Sequence, residues 1–245
     1  MRISCLFSLV LTAALAASAA GVKPSAQPGT GKAAAQLTQT AAAAGALSPA
    51  EIMKGLQTLD DSLENLSCDF VQDVSYGDTG LTQTIEGSLR FKKPGMLRIE
   101  HFKPYRQLVY TDKKNIWIYK PADAQAVKMD WDEWKKSLDP SMSGMLDFGN
   151  YSRLLETHSA AVSSGAAGGL ITVALTPKKN PALYTLTLQL SEKDYFPMKL
   201  SLLIDKTSVS TELKNIDRKT PVDAAQFEFK PPRGVEVLQF GAGGR

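Results

Sequence analysis

From Ser67 onward the chain alternates apolar and polar residues in short runs. The clearest runs span residues 85–92, 97–100, 186–190 and 198–204. A repeat of two residues places alternate side chains on opposite faces of a strand, and turns rich in glycine, proline and asparagine separate the runs. The pattern predicts a mainly β protein with one antiparallel sheet, curled or closed. The strand–helix–strand alternation of a parallel nucleotide-binding sheet is missing.

One amphipathic helix precedes the sheet. Ser48 can cap its first turn, Pro49 suits the first helical position, and Glu51 completes a capping box. The apolar residues at helical spacing are Ile52, Leu56, Leu59, Leu63 and Leu66. They predict a helix of about four to five turns that packs on the sheet.

A second helical segment interrupts the strand pattern in the middle of the chain. Asp130 to Glu133 forms another capping box, and Trp134 and Leu138 follow at helical spacing. A methionine-rich apolar stretch then covers residues 142–155. Because Met side chains repack easily, this stretch either covers the sheet or acts as an adaptable lid over an apolar ligand, and the sequence leaves both interpretations open.

The first residues change the domain count that 245 residues would suggest. Residues 1–19 have a positive start, an apolar run and a small-residue ending, which is typical of a secretory signal peptide. Residues 20–47 are Ala-, Gly- and Pro-rich without aromatic residues, which indicates a disordered linker. We therefore expect one domain, residues 48–240, followed by a tail, residues 241–245.

Composition excludes several function classes. A net charge of +3 is too small to favour nucleic acid, and two cysteines with two histidines leave no disulfide scaffold and few metal ligands. Cys68 alternates with apolar neighbours and is expected to be a buried, inert thiol. Asp60 and Asp61 are interpreted as the solvated face of the helix. His101 and His158 each stand alone, so we expect no catalytic residue, no metal, no cofactor and no enzyme activity.

Four segments together carry a family resemblance. They are residues 87–100 with a Lys-Lys-Pro turn, 107–112, 116–121, and 227–237 with the pattern Phe-x-Phe-x-Pro-Pro-x-Gly-Val. Their order and spacing resemble the periplasmic outer-membrane lipoprotein carrier family of the LolA type, over nearly the whole expected domain.

This resemblance implies a fold and a function. The fold is an unclosed antiparallel β-barrel covered by helices that form a lid over an apolar cavity. The function is a monomeric periplasmic carrier in a Gram-negative bacterium. Its cargo is acylated lipoproteins, received from an inner-membrane transporter and passed to an outer-membrane acceptor. The alternative is a lipid shuttle or envelope sensor with the same fold and a different cargo.

The resemblance also directs the choice of site residues. The expected cavity wall consists of Leu89, Phe91, Leu97, Ile99, Leu108 and Tyr110. The expected lid contacts are Leu56, Leu59 and Leu63 of the helix. Lys93 stands where the family has an arginine that ties the lid to the barrel. Lysine keeps the charge but lacks the planar fork of donors that arginine provides.

Overall fold

A single large sheet dominates the computed structural model, which describes residues 47–112, 114–136, 149–166 and 169–240. The expected signal peptide, nearly all of the expected linker and the C-terminal tail lie outside the described residues, as does most of the methionine-rich stretch. Leu47, the last residue of the expected linker, is partly buried against the core and therefore belongs to the folded domain.

Twelve strands form this sheet. They are β1 (Asn65–Tyr76), β2 (Leu81–Lys92), β3 (Met96–Lys103), β4 (Gln107–Thr111), β5 (Asn115–Lys120), β6 (Gln125–Asp130), β7 (His158–Ala166), β8 (Leu170–Pro177), β9 (Thr185–Ser191), β10 (Pro197–Ile204), β11 (Thr207–Asp217) and β12 (Glu236–Phe240). Their spatial order is β12-β6-β5-β4-β3-β2-β1-β11-β10-β9-β8-β7. The sheet ends at β12 on one side and β7 on the other, so the prediction of an unclosed antiparallel sheet is confirmed.

Short turns explain most of this order, because they join sequential antiparallel strands. The β2–β3 turn, for example, is closed by a 3.0 Å hydrogen bond from the Gly95 amide to the Lys92 carbonyl. Two strand pairings join strands that are not neighbours in the sequence. β11 pairs with β1 across the length of the chain, and β12 returns at the end of the chain to run parallel to β6.

Helix α1 (Pro49–Ser62) begins as the sequence predicts. The Glu51 amide donates to Ser48 Oγ at 3.3 Å, and the Ser48 amide donates to Glu51 Oε2 at 2.7 Å. The helix is shorter than expected, since it ends before Leu63, and Leu66 lies on β1. Leu66 fits both the helical spacing after Leu63 and the strand alternation that follows it, so the sequence pattern alone extends the helix too far.

Two shorter helices lie beyond β6. Helix α2 (Trp131–Lys136) is capped by Asp130, whose Oδ1 accepts hydrogen bonds from the backbone amides of the second and third helical residues. A 3-10 turn (Tyr151–Arg153) leads into the four-residue helix α3 (Leu154–Thr157). Trp131, Leu154 and the apolar side of α1 all belong to one buried core on the concave face of the sheet.

Candidate functional site

The concave face of the sheet carries four of the expected wall residues. Leu89 pairs directly with Ile99, and Phe91 pairs directly with Leu97, across the β2–β3 hairpin. Directly opposed residues of an antiparallel pair project from the same face, and all four side chains are buried in the main core. The structure therefore brings these four residues together, as the sequence predicts.

The same face stays apolar around the rest of the curved sheet. Buried apolar side chains on this face of the strands beyond β1 are Ile171, Val173, Leu175, Leu186, Leu188, Leu190, Leu202, Val209 and Leu213. Each alternates with more exposed residues along its strand. A continuous apolar surface therefore runs from β3 through β2 and β1 to β8.

Helix α1 lies against this surface. Ile52, Leu56, Leu59 and Leu63 are nearly inaccessible to solvent, and burial of a Leu or Ile side chain contributes about 1.5–3 kcal/mol. The helix also approaches the β9–β10 turn closely, because a Cβ on Gly55 would come within 2.5 Å of the Tyr195 ring. The expected lid leucines thus face the sheet.

Lys93 connects the β2–β3 turn to the C-terminal end of α1. Its Nζ donates to the carbonyl oxygens of Asp60 and Asp61, each at 3.1 Å, and lies 3.5 Å from Glu64 Oε1. The last carbonyls of a helix have no partner within the helix and carry partial negative charge. A lysine therefore makes, at this position, the helix-to-barrel contact that the resemblance implies for arginine.

The sequence interpretation of Asp60 is wrong. Asp60 is buried rather than solvated, and its Oδ1 and Oδ2 accept the backbone amides of Tyr151 and Ser152, each at 2.8 Å. It joins α1 to the 3-10 turn that precedes α3. Asp61, its neighbour, is exposed as expected. Two adjacent acidic residues look alike in the sequence, and only their angular positions on the helix separate them.

Leu108 and Tyr110 do not belong to the concave wall. They pair with Glu100 and Arg98 on β3, which places them on the outer face. Strand β4 is buried on both sides, so its alternation gives no sign of which residues point inward. The inward residues are Val109 and its alternate neighbours, and Val109 takes the place in the wall that the sequence assigns to Leu108 and Tyr110.

An aromatic cluster covers the outer face of β4 and β5. The Phe229 ring lies 5.2 Å from the Tyr110 ring and 5.3 Å from the rings of Trp117 and Tyr119, measured between centroids. Beside it runs an open groove of about 640 Å³, also lined by Leu108. Residues 116–119 of β5 are apolar or aromatic at every position, so both faces of this strand carry apolar side chains. The C-terminal segment that contains Phe229 packs on the outer face.

Charged residues border this outer cluster. Glu100 Oε1 accepts from Arg106 at 2.7 Å, and its Oε2 accepts from Arg98 at 3.0 Å. Partial burial alone would raise the pKa of Glu100, but the two guanidinium groups outweigh it and the pKa is lowered. Arg98 also lies over the Tyr110 ring at 5.4 Å. The outer face is thus held by polar contacts as well as by aromatic packing.

The comparisons with known proteins agree with this architecture. The family model described as "Outer membrane lipoprotein carrier protein LolA" matches residues 61–230, which is more than half of the chain. The chain belongs to the LolA family. The match covers the strands from β1 to β11 and the segment up to residue 230, which includes Phe229.

Two relatives are named "Outer-membrane lipoprotein carrier protein". The one from Azotobacter vinelandii is 30% identical over 207 residues, covering 81% of this chain and 95% of the relative. The one from Neisseria meningitidis serogroup B is 27% identical over 185 residues, covering 75% and 84%. A solved structure of an uncharacterized conserved protein from Thermus thermophilus has a TM-score of 0.51 at 12% identity, over 78% of this chain and 98% of that one, and shows the shared fold.

Reactive groups are scarce in this LolA-family chain. Cys68 is buried, and burial raises the pKa of its thiol to about 12, with the neighbouring Asp69 adding to the effect. The prediction that this thiol is buried is confirmed. Within the described ranges no three His, Cys, Asp or Glu side chains are grouped so that they could hold a metal ion. Among the same residues, no helix has the length and apolar character needed to cross a membrane.

Both histidines are buried, but their surroundings differ. His158 Nε2 lies 2.7 Å from the Tyr184 hydroxyl and its Nδ1 lies 2.9 Å from the Leu154 carbonyl oxygen. Burial lowers the pKa of His158 although the Leu154 carbonyl opposes the shift. His101 is on the concave face with its ring edge-to-face against Phe70 at 5.7 Å, and burial lowers its pKa to about 4.

Proposed function

We propose that this chain carries acylated lipoproteins through the periplasm of a Gram-negative bacterium, with their acyl chains held against the concave face of the sheet. It would receive them from an inner-membrane transporter and release them to an outer-membrane acceptor. The names of the relatives support the lipoprotein cargo. The observation that carries the proposal is the continuous apolar concave face beneath α1.

The physical need for such a surface follows from acyl-chain solubility. Each methylene removed from a membrane into water costs about 0.8 kcal/mol, so two or three free acyl chains do not cross an aqueous compartment at a useful rate. A carrier must present a comparable apolar area and cover it when no cargo is bound. We assign the wall to Leu89, Phe91, Leu97, Ile99 and, by its inward position, Val109.

Helix α1 is the cover in this proposal. Its leucines Leu56, Leu59 and Leu63 occupy the face where acyl chains would lie, so cargo must displace at least part of the helix. The polar contacts named above at its C-terminal end, from Lys93 and through Asp60, can act as a pivot during that movement. Transfer of acyl chains breaks no covalent bond, so the proposal requires no catalytic residue.

Mass spectrometry of the protein purified from a periplasmic extract tests the cargo. We expect acylated peptides to co-purify with the mature chain. Free lipids without any lipopeptide would contradict the lipoprotein assignment and support a shuttle for another lipid. Depletion of the protein gives an independent result, since correct sorting of outer-membrane lipoproteins after depletion would also contradict the proposal.

The substitution Leu97→Glu tests whether acyl chains bind to the concave face. A charge placed among acyl chains costs several kcal/mol, so we expect retention of a triacylated lipopeptide to fall by at least about tenfold. Leu203→Glu is the matched control, because Leu203 is 52% exposed on β10. Equal retention by the two variants, both folded by circular dichroism, would mean that acyl chains bind elsewhere.

A further inference from the structure

A polar pair interrupts the apolar concave face near its rim. His101 on β3 and Gln107 on β4 are directly paired across the strands, so their side chains lie next to each other on the same face. Both are buried, with 1% and 6% of their surface exposed. β3 ends two residues beyond His101, and the β3–β4 turn joins it to Gln107. Phe102 at the end of β3 and Tyr105 in the turn are exposed to solvent.

Nitrogen atoms in this pair have no hydrogen-bond partner in the part of the chain that the structure describes. Neither ring nitrogen of His101 has a hydrogen-bond partner among the described residues, and the same holds for Gln107 Nε2. Phe70 closes one side with an apolar ring that lies over Gly87, where a Cβ would come within 2.4 Å of it. Buried polar groups in proteins are almost always satisfied, so two unsatisfied neighbours on a candidate binding face indicate a ligand group.

The donors define the chemistry of that group. Because burial holds the pKa of His101 near 4, its ring is neutral at pH 7 and offers one N–H donor. Gln107 Nε2 offers further N–H donors. A carbonyl oxygen has two lone pairs and no proton, so it can accept from both side chains. The neighbouring residues inward from the pair are the apolar Ile99, Leu97 and Val109.

We propose that His101 and Gln107 bind the carbonyl oxygen of an acyl linkage, while the attached chain lies along Ile99 and Leu97. This inference rests on the proposed function and adds to it a polar anchor at the rim of the apolar face. The anchor orients that acyl chain with its linkage near the exposed β3–β4 turn and its methyl end toward the β2–β3 turn.

A pair of lipids that differ only in the carbonyl tests the anchor. The probes are a cysteine peptide carrying two ester-linked palmitoyl chains on its glyceryl group and the same peptide with two ether-linked hexadecyl chains. A hydrogen bond formed in a buried site increases the affinity for the ligand that can form it by several-fold. We expect the wild-type protein to bind the diester about fivefold to tenfold more tightly than the diether.

Two variants remove the donors while keeping a side chain of similar shape. His101→Phe and Gln107→Met are each expected to reduce the diester preference to less than about twofold. Gln72→Met is the matched control. Gln72 is equally buried on the concave face, but its unpartnered atom is the acceptor Oε1, so the preference should stay unchanged. If one donor variant does not fold, the other is sufficient.

The outcomes separate this inference from the proposed function. Loss of the preference in a folded donor variant, with the preference intact in Gln72→Met, supports the anchor. Equal binding of diester and diether by the wild-type protein overturns the anchor and leaves acyl carriage standing. Failure of the wild-type protein to bind either lipid, or the hydrocarbon dye diphenylhexatriene, overturns the proposed function itself.

Discussion

At the residue scale, the buried histidine on the concave face makes stability depend on pH. His101 has a folded-state pKa of about 4 instead of 6.5 because burial disfavours its charged form. Below pH 6.5 the unfolded chain therefore binds more protons than the folded chain, so stability falls as pH falls, until the folded pKa is reached. We expect a loss of about 2 kcal/mol between pH 7.5 and pH 5 from this residue.

Chemical denaturation at several pH values measures this loss. His101→Phe should flatten the dependence over the same interval, leaving the smaller contribution of His158, whose pKa is also lowered by burial. An unchanged pH slope in the folded variant would contradict the assignment to His101.

Two adjacent aspartates give a second prediction at this scale. Asp60→Ala leaves two backbone amides, at Tyr151 and Ser152, without their carboxylate acceptor. Hydrogen bonds to a charged group contribute about 1.5–3 kcal/mol each, and a buried donor left unpaired adds to the cost. We expect the free energy of unfolding to fall by about 3 kcal/mol.

Asp61→Ala is the control, because Asp61 is exposed and such positions change stability by about 0.5 kcal/mol or less. Urea denaturation of both variants gives the comparison. Equal effects of the two substitutions would show that the Asp60 contacts do not stabilise the fold.

At the scale of elements, one lysine connects helix α1 to the sheet. Lys93→Gln removes the charge beside the last carbonyls of the helix. We expect this change to cost about 1 kcal/mol and to lower the hydrogen-exchange protection of the last turn of α1. Lys93→Arg should restore protection, since arginine has more donors in a fixed geometry.

Lys103→Gln is the matched control. Lys103 also pairs with a glutamate, at 3.1 Å, but it is 66% exposed, and its partner Glu86 lies on β2 rather than at a helix end. Exposed ion pairs contribute little, so its loss should leave exchange in α1 unchanged. Faster exchange in both variants alike would mean that Lys93 acts only as a surface charge.

How far the sequence predicts these elements depends on whether one face of each is polar. Strands β2, β3, β8 and β9 alternate clearly, and the pattern identifies inward residues such as Leu89 and Ile99. On β4 both faces are buried, so Leu108 and Tyr110 could not be assigned to the outer face without knowing that Phe229 returns to cover them. The Asp60 contacts depend on a chain segment about ninety residues away and leave no local pattern.

At the scale of the whole molecule, the sheet separates two apolar surfaces with different occupants. The outer face of β4 and β5 is filled by the chain itself, through Phe229 and its aromatic neighbours. The concave face is covered mainly by helices, which are joined to the sheet by a small number of polar contacts. In the proposed function, cargo displaces these helices while the strand pairing stays intact, and this division suits a carrier.

The limits of the folded unit give the last prediction. Among the described residues, Leu47 is the first that packs against the core, and Ser48 caps α1. The composition of residues 20–45 offers little apolar surface to bury. We therefore expect deletion of residues 20–45 to change the free energy of unfolding by about 0.5 kcal/mol or less and to leave lipopeptide capture intact.

Deletion of residues 20–48 also removes the cap and Leu47, and it should lower the free energy of unfolding by about 1–2 kcal/mol. Thermal and urea denaturation of the two forms measure this difference. A large loss of stability or capture in the shorter deletion would mean that residues 20–45 take part in the fold or in cargo binding.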